Sequence, residues 1–150
     1  MVNKVLFSSK SDEWETPQGL FNELDEEFNF DRDPCATPEN AKCGQYYTKE
    51  DDGLRWSYRK ESVFINPPYS QISKWVEKAY NESRDAKIIV MLLPARTDTR
   101  WFHKYIYNKA KIRFIKGRLK FGDSKNSAPF PSMIVIFNKE KINAKRSYIR

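Results

Sequence analysis

The 150-residue chain is poor in residue types that often mark function, with one histidine, two cysteines and five glycines. Cys35, Cys43 and His103 are too few for a zinc site or a disulfide scaffold, so we expect reduced thiols, a cytosolic protein and no metal. The glycines form neither a GxGxxG nor a Walker pattern, which removes direct support for dinucleotide or ATP binding. No apolar run is long enough to span a bilayer, and the N-terminus lacks a signal-peptide core.

Acidic residues are also outnumbered, because 27 Lys and Arg stand against 20 Asp and Glu for a net charge of +7. Residues 11–52 are acid-rich, whereas the chain from residue 109 onward is strongly basic. This asymmetry is typical of a protein with a polyanion such as nucleic acid on one face. A solvated basic surface accounts for the charge equally well. Nothing in the sequence indicates a membrane or an obligatory protein partner.

Helix and strand signals alternate along the chain. Thr16 is predicted as the N-cap, and Pro17 as the first residue, of a helix whose apolar positions recur at helical spacing up to Phe28. The unbroken apolar run "KIIVMLLP" is typical of a strand covered on both faces. The other predicted elements are a short strand ending at Asp33-Pro34, a short helix from Thr37-Pro38, the strand "VFI", the helix "SQISKWVEKAYNES", a helix capped by Thr97 or Asp98, and two closing strands, "KIRFIKGRLKF" and "PSMIVIF".

This alternation predicts βαβ units in one α/β domain over residues 1–150, with 1–11 and 139–150 loosely attached. The parallel sheet would carry helices on both faces. Ligands of such sheets bind beyond the carboxyl ends of the strands. Two unusual segments fall at predicted strand ends, residues 33–36 ("DPCA") and residues 66–69 ("NPPY").

The segment Asn66-Pro67-Pro68-Tyr69 follows a buried strand and precedes a helix. Taken alone it is equally well explained as a turn, since both prolines are good turn formers. In this context it resembles the [DNS]PP[YFW] motif of amino-group methyltransferases that use S-adenosylmethionine. In that chemistry the Asn66 side-chain oxygen and the Pro67 carbonyl would accept the N–H bonds of an amine, and the prolines would keep both acceptors aimed. Tyr69 would stack on a base flipped out of the duplex.

Further segments extend the resemblance, in order: "EWETP" at 13–17, "DPCA" at 33–36, "LLPARTDTRWF" at 92–102, "KGRLKFG" at 116–122 and "APFPSMIVIF" at 128–137. Over residues 12–138 the series resembles the phage-type DNA adenine-N6 methyltransferase (phage Dam) family. The resemblance implies a Rossmann-like methyltransferase fold, S-adenosylmethionine as cofactor and double-stranded DNA as substrate. It also implies a phage- or prophage-encoded protein acting in the bacterial cytoplasm.

Carried over residue by residue, the resemblance makes residues 66–69 the catalytic loop and assigns five residues to the cofactor: Thr16, Pro17, Asp33, Pro34 and Ala36. The glycines expected after "DPCA" are absent. Because only about 30 residues separate the two loops, we expect a strand–helix pair to be shortened or missing. The acidic residue for the cofactor ribose is unassigned, with Glu39 as a candidate. Asp51 or Asp52 would reach the cofactor's adenine, unless "KEDDG" is simply an exposed acidic turn.

Basic residues in two segments are candidate DNA contacts. Arg96 and Arg100 follow the most apolar strand and would bind phosphates or a base edge. Arg118 and Lys120 belong to the densest basic stretch outside the tail, which also includes Lys111, Arg113 and Lys116. That stretch fits the DNA backbone, or an edge strand protected by charge.

Three functions are therefore open. The first is methylation of adenine N6 in DNA through base flipping. The second keeps the chemistry but acts on RNA or on a protein glutamine. The third is a non-catalytic DNA-binding module, which the missing glycines would explain.

Overall fold

The computed structural model describes residues 14–122 and 124–138, so the segments expected to be loose, 1–11 and 139–150, lie outside the described residues. Within this part no helix has the length and apolarity to cross a membrane. Shorter helical turns cover Gly53–Arg55, Tyr69–Gln71 and, as a π-helix, Phe102–Ile106. The main elements are α1 (Gln18–Phe28), β1 (Arg32–Asp33), β2 (Gln45–Tyr46), β3 (Ser62–Ile65), α2 (Ile72–Glu82), β4 (Ile88–Pro94), β5 (Lys111–Phe114) and β6 (Ser132–Phe137).

The six strands form one sheet in the order β2-β1-β3-β4-β6-β5. The first four are parallel, whereas β6 runs antiparallel to both of its neighbours. The α/β class, the parallel core and the closing antiparallel pair predicted from the sequence are thereby confirmed.

The central strand β4 explains why its sequence is apolar without alternation. Ile89, Met91 and Leu93 pack into the same cluster as α2, on one face of the sheet. Val90 and Leu92 pack into the cluster that contains the buried side of α1, on the other face. Both faces therefore exclude water. Each fully buried aliphatic side chain stabilises the fold by about 1.5–3 kcal/mol relative to an exposed one.

The region around β1 and β2 is much less regular. Each strand has two residues, and the connection over 34–44 contains turns but no helix. The short helix predicted from Thr37 is therefore wrong. The Thr37 carbonyl accepts from the Asn40 and Ala41 N–H groups at 3.2 and 3.0 Å, but these bonds close a single turn that does not continue. Side chains complete the turn: the Thr37 N–H donates to Asn40 Oδ1 at 2.7 Å, and the Asn40 N–H donates to Thr37 Oγ1 at 3.2 Å. The expected shortening of a strand–helix pair is found here.

Two predicted helix caps are also wrong. Pro17, rather than Thr16, is the residue preceding α1, and the Thr16 hydroxyl accepts from the Asn66 side chain. Near the π-helix, Thr99 replaces the expected Thr97 or Asp98: its hydroxyl accepts from the Phe102 N–H at 3.3 Å. In each case the sequence offered several hydroxyls or carboxylates, and tertiary contacts selected among them.

Candidate active site

A cavity of about 380 Å³ opens beyond the carboxyl ends of β1 and β3. Most of the lining comes from four segments: residues 14–16 before α1, 33–37 after β1, 48, 49, 52 and 53 before β3, and 66–68 after β3. This volume lies within the range of small-molecule sites, about 300–1,000 Å³. The position is the one expected for a ligand site in a parallel sheet.

Asn66 stands where β3 stops, because Pro67 has no N–H to continue the ladder. Its side-chain nitrogen donates two hydrogen bonds, one to the Trp14 carbonyl and one to Thr16 Oγ1 at 2.9 Å. A carbonyl oxygen only accepts, so the Trp14 contact fixes which end of the Asn66 amide is nitrogen.

The Asn66 oxygen, Oδ1, is then left buried without a hydrogen-bond partner among the described residues. An unsatisfied buried acceptor costs about 1–3 kcal/mol, and such atoms in native proteins call for an explanation. An amine bound in this pocket would supply the missing donor. Pro67 and Pro68, which follow, also line the cavity.

Tyr69 lies beside the cavity and is absent from its lining. Its ring stacks on Trp14 with centroids 6.0 Å apart and tilts against Phe130 at 5.3 Å. Phe121 completes this aromatic cluster, 5.4 Å from Trp14. Burial raises the pKa of the Tyr69 hydroxyl, although the nearby charge of Arg96 opposes the shift, so the phenol stays protonated.

Asp33, at the end of β1, organises the loop that follows it. One carboxylate oxygen accepts from the Cys35 N–H at 3.2 Å and the other accepts from the Lys42 N–H at 3.1 Å. Burial raises the pKa of Asp33, and these two N–H groups oppose the rise. Burial likewise raises the pKa of the Cys35 thiol, and the negative charge of Asp33 raises it further. Cys35 is therefore protonated and unsuited to act as a nucleophile.

The three acidic candidates for the cofactor differ in position. Asp52 lines the cavity, whereas Asp51 and the exposed Glu39 do not belong to the lining. Asp51 instead accepts from the Thr48 N–H and hydroxyl at 2.9 and 3.0 Å. Asp52 accepts from the Leu54 N–H at 3.3 Å in a left-handed backbone conformation, with φ of 57°.

The other predicted cofactor residues divide similarly. Thr16, Pro34 and Ala36 line the cavity, and Pro17 is not among the lining residues. The sequence analysis missed several lining residues. Of these, Thr37 and Asn40 had a recognisable signal, because their spacing is typical of a turn closed by two side chains. The missed residues include Glu15, Thr37, Asn40, Lys42, Thr48, Lys49, Gly53, Phe64, Gln71 and Trp75.

The predicted DNA contacts Arg96, Arg100, Arg118 and Lys120 are all exposed and lie outside the cavity lining. Arg96 is the one whose charge reaches the Tyr69 hydroxyl. Arg113, from the same basic stretch, makes a two-pronged ion pair with Glu27 at 2.7 and 2.6 Å, so its charge is compensated within the chain.

Comparison with known proteins identifies the family. The model of the family described as DNA N-6-adenine-methyltransferase (Dam) matches residues 4–149. A DNA N-6-adenine-methyltransferase of Escherichia phage T1 is 36% identical over 110 residues, which are 72% of this chain and 46% of that protein. The DNA N-6-adenine-methyltransferase of Haemophilus phage HP1 is 32% identical over 138 residues, which are 86% of this chain and 80% of that protein.

Among solved structures, a candidate RNA methyltransferase from Pyrococcus horikoshii aligns with a TM-score of 0.45 and 16% identity, covering 64% of this chain and 51% of that one. Of the two phage relatives, this chain spans just under half of the phage T1 protein and four-fifths of the phage HP1 protein. The family predicted from the ordered motifs is confirmed: the chain belongs to the DNA N-6-adenine-methyltransferase (Dam) family.

Proposed function

We propose that this chain transfers a methyl group from S-adenosylmethionine to the N6 amino group of adenine in double-stranded DNA. Membership of the family supports the reaction class and the substrate. The observation that carries the proposal is the buried Asn66 Oδ1, which lacks a hydrogen-bond donor among the described residues and belongs to a side chain lining the cavity. An adenine amine has the donors that this acceptor lacks.

In the proposed mechanism Asn66 and Pro67 act on the amine itself. The lone pair of an exocyclic amine is delocalised into the purine ring, which makes the nitrogen a weak nucleophile. Asn66 Oδ1 and the Pro67 carbonyl would each accept one N–H bond and favour a tetrahedral nitrogen whose lone pair is free to attack. Both acceptors are fixed before the substrate binds, so little reorganisation is required during the reaction.

Tyr69 and its aromatic neighbours would receive the target base. An amine inside a duplex is out of reach, so the nucleotide has to leave the base stack, at a cost of a few kcal/mol. Stacking on an aromatic side chain recovers about 1–3 kcal/mol per base. Tyr69 is bounded by Trp14 and Phe130. The aromatic cluster therefore lies next to the proposed acceptor.

The cavity residues fit the implied cofactor, which when bound would supply an electrophilic methyl group. Pro34, Ala36 and Trp75 offer apolar surface, and Asp52 offers a carboxylate for a hydroxyl or amino group. Asp33 would keep the loop under the cofactor in shape, because both of its oxygens hold backbone N–H groups. Of the residues first assigned to the cofactor, we retain those that line the cavity: Thr16, Asp33, Pro34, Ala36 and Asp52.

The exposed Arg96, Arg100, Arg118 and Lys120 would neutralise DNA phosphates. Each phosphate contact adds to the salt dependence of binding, so affinity for DNA would fall steeply between low and moderate salt. Arg96 would lie closest to the flipped base because of its proximity to Tyr69.

The proposal is tested by incubating the protein with S-adenosylmethionine tritiated in its methyl group and with duplex DNA, RNA or host protein. Label in adenine N6 of the DNA fraction is the expected result. Label found only in RNA or protein would replace the substrate with one of the alternatives left open by the sequence. No transfer, together with no cofactor binding in calorimetry, would favour a non-catalytic DNA-binding module.

A further inference from the structure

We propose that residues 14–16 form a positioning strap that makes an amide obligatory at residue 66. The motif at this position admits Asp, Asn or Ser in methyltransferases at large, but in this chain the Trp14 carbonyl would select Asn. The inference rests on the proposed function, since it concerns how Asn66 Oδ1 is aimed at the reacting amine. Trp14 and Thr16 would be positioning residues that act through Asn66.

The strap reaches Asn66 through two acceptors at once. The Trp14 carbonyl and Thr16 Oγ1 each accept from the Asn66 side-chain nitrogen, the second at 2.9 Å. Both N–H bonds of the amide are thus used, and Oδ1 points away from them by the planar geometry of the amide. Thr16 is only 4% exposed, so water has little access to replace its hydroxyl as an acceptor.

The strap is itself held on three sides, so the Trp14 carbonyl has little freedom to turn away. The Gly122 N–H donates to the Glu15 carbonyl at 2.8 Å. The Trp14 ring contacts Tyr69, Phe121 and Phe130. On the other side, α1 begins with the Phe21 N–H donating to the Pro17 carbonyl at 3.1 Å.

An ionised carboxylate at residue 66 would meet a different environment from the amide. Thr16 has a hydroxyl that is able to rotate and donate, but the Trp14 carbonyl has no proton to offer. An acceptor would therefore face an acceptor in a buried place, which disfavours the productive rotamer. The side chain would turn, and neither oxygen would keep the aim that Oδ1 has in the natural protein.

The test uses the full chain and measures kcat and the KM for duplex DNA at saturating cofactor. Asn66→Asp is isosteric and should lower kcat by about 100-fold at pH 8, as expected for loss of one aimed polar group. Thr16→Val removes one hydrogen bond without changing shape and should lower kcat about 3- to 10-fold while KM changes less than twofold. Thr16→Ser keeps the hydroxyl and should restore kcat to within twofold of the natural enzyme.

A pH series supplies a readout that a merely structural defect would not give. Once protonated, the introduced carboxyl would donate to the Trp14 carbonyl and leave its other oxygen as acceptor, so the ratio of Asn66→Asp to natural kcat should rise as the pH falls. The charged residues that line the cavity are the same in both proteins, so their effects on kcat largely cancel in this ratio; they are Glu15, Asp33, Lys42, Lys49 and Asp52.

Ser83→Ala is the matched control, because Ser83 is also 4% exposed and its hydroxyl donates to the Tyr80 carbonyl outside the cavity lining. It should leave kcat unchanged. The inference is overturned if Asn66→Asp keeps full activity with a flat ratio, or if Thr16→Ser is as impaired as Thr16→Val. Either result in an otherwise active protein leaves the proposed function standing, whereas an inactive natural chain would count against the function itself.

Discussion

The two loops that line the cavity are held in place by different means. The loop at residues 66–69 leaves β3, a fully buried strand that pairs with β1 on one side and with β4 on the other. The loop at residues 33–42 leaves β1, a strand of two residues. Backbone ladders and proline rings stiffen the first loop. The second loop has backbone bonds to Tyr47 and within its own turn, and in addition its side chains bond to backbone N–H groups.

This difference shows how the chain manages without the glycines expected after "DPCA". Asp33 binds two N–H groups of its own loop, and Thr37 and Asn40 close the next turn between them. Such side-chain bonds define a turn as a glycine-rich loop would, but each depends on one carboxylate or amide. Polar substitutions in the loop at residues 33–42, the proposed cofactor side, should therefore mainly lower stability. Substitutions in the loop at residues 66–69, the proposed catalytic side, should mainly lower the rate.

The largest expected effect comes from a substitution in the loop at residues 66–69. Asn66→Ala removes the buried acceptor and should lower kcat by about 10²–10³-fold, the range seen when one aimed polar group is lost. Cofactor affinity measured by calorimetry should change little, because residues 33–37 and 48–53 remain intact. Retention of full kcat would refute the catalytic assignment.

Asp33→Ala should have the converse effect. It leaves the N–H groups of Cys35 and Lys42 without their acceptor, so the free energy of unfolding should fall by about 2 kcal/mol or more and cofactor affinity should weaken. Urea unfolding and calorimetry measure the two effects. Asp25→Ala is the control, since Asp25 accepts from the Phe30 N–H outside the cavity lining and its loss should leave cofactor affinity unchanged. Equal affinity in both variants would contradict the proposed role of Asp33.

Gly53→Ala tests how tightly the loop after β1 packs against the residues before β3. A Cβ at Gly53 would lie 2.7 Å from the Pro34 carbonyl oxygen and 2.8 Å from the Trp75 ring, so the loop has to shift. We expect a loss of about 1–2 kcal/mol in unfolding free energy. Gly19→Ala is the control, because its Cβ meets no described atom within 4 Å and alanine favours a helix. Similar stability in the two variants, measured by thermal melting, would rule out tight packing at Gly53.

The smallest effect concerns a pair remote from both loops. Glu27→Gln breaks the ion pair with Arg113, whose side chains are 46% and 37% exposed, and should cost less than about 1 kcal/mol. The hydrogen bond from Arg113 lowers the pKa of Glu27, so the contribution is present above pH 4.5 and is lost as the pH falls through the lowered value. Urea unfolding should show a larger difference between the two proteins at pH 7 than at pH 3, and cofactor affinity should not change.

Much of the fold was predictable because the spacing of apolar residues in the sequence indicates which side chains are buried. The runs that became β3, β4 and β6, and the periodic faces of α1 and α2, all lie in the core clusters. Polar residues were harder to assign. A threonine before a helix has the same local sequence whether its hydroxyl caps that helix or, as at Thr16, binds a side chain 50 residues away.

The candidate site was predictable to a similar extent. The motif indicated that residues 66–69 follow a strand, and they do. The sequence did not separate Asp52 from Asp51, because which of two adjacent carboxylates faces a cavity depends on a backbone angle. It also gave no sign of the Trp14 carbonyl contact, since a backbone group has no signature in sequence.

The strap also has a consequence for the order of folding. Its bonds to Asn66 join residues 50 and 52 positions apart, so they close a long loop and are expected to form after local structure. No strand pair of the described sheet includes a residue of the strap, so the strap is able to detach while the sheet stays folded. In mild denaturant the protein would then lose the proposed methyl transfer before it loses its fold, and the rate of transfer would report the state of a segment that belongs to no helix or strand.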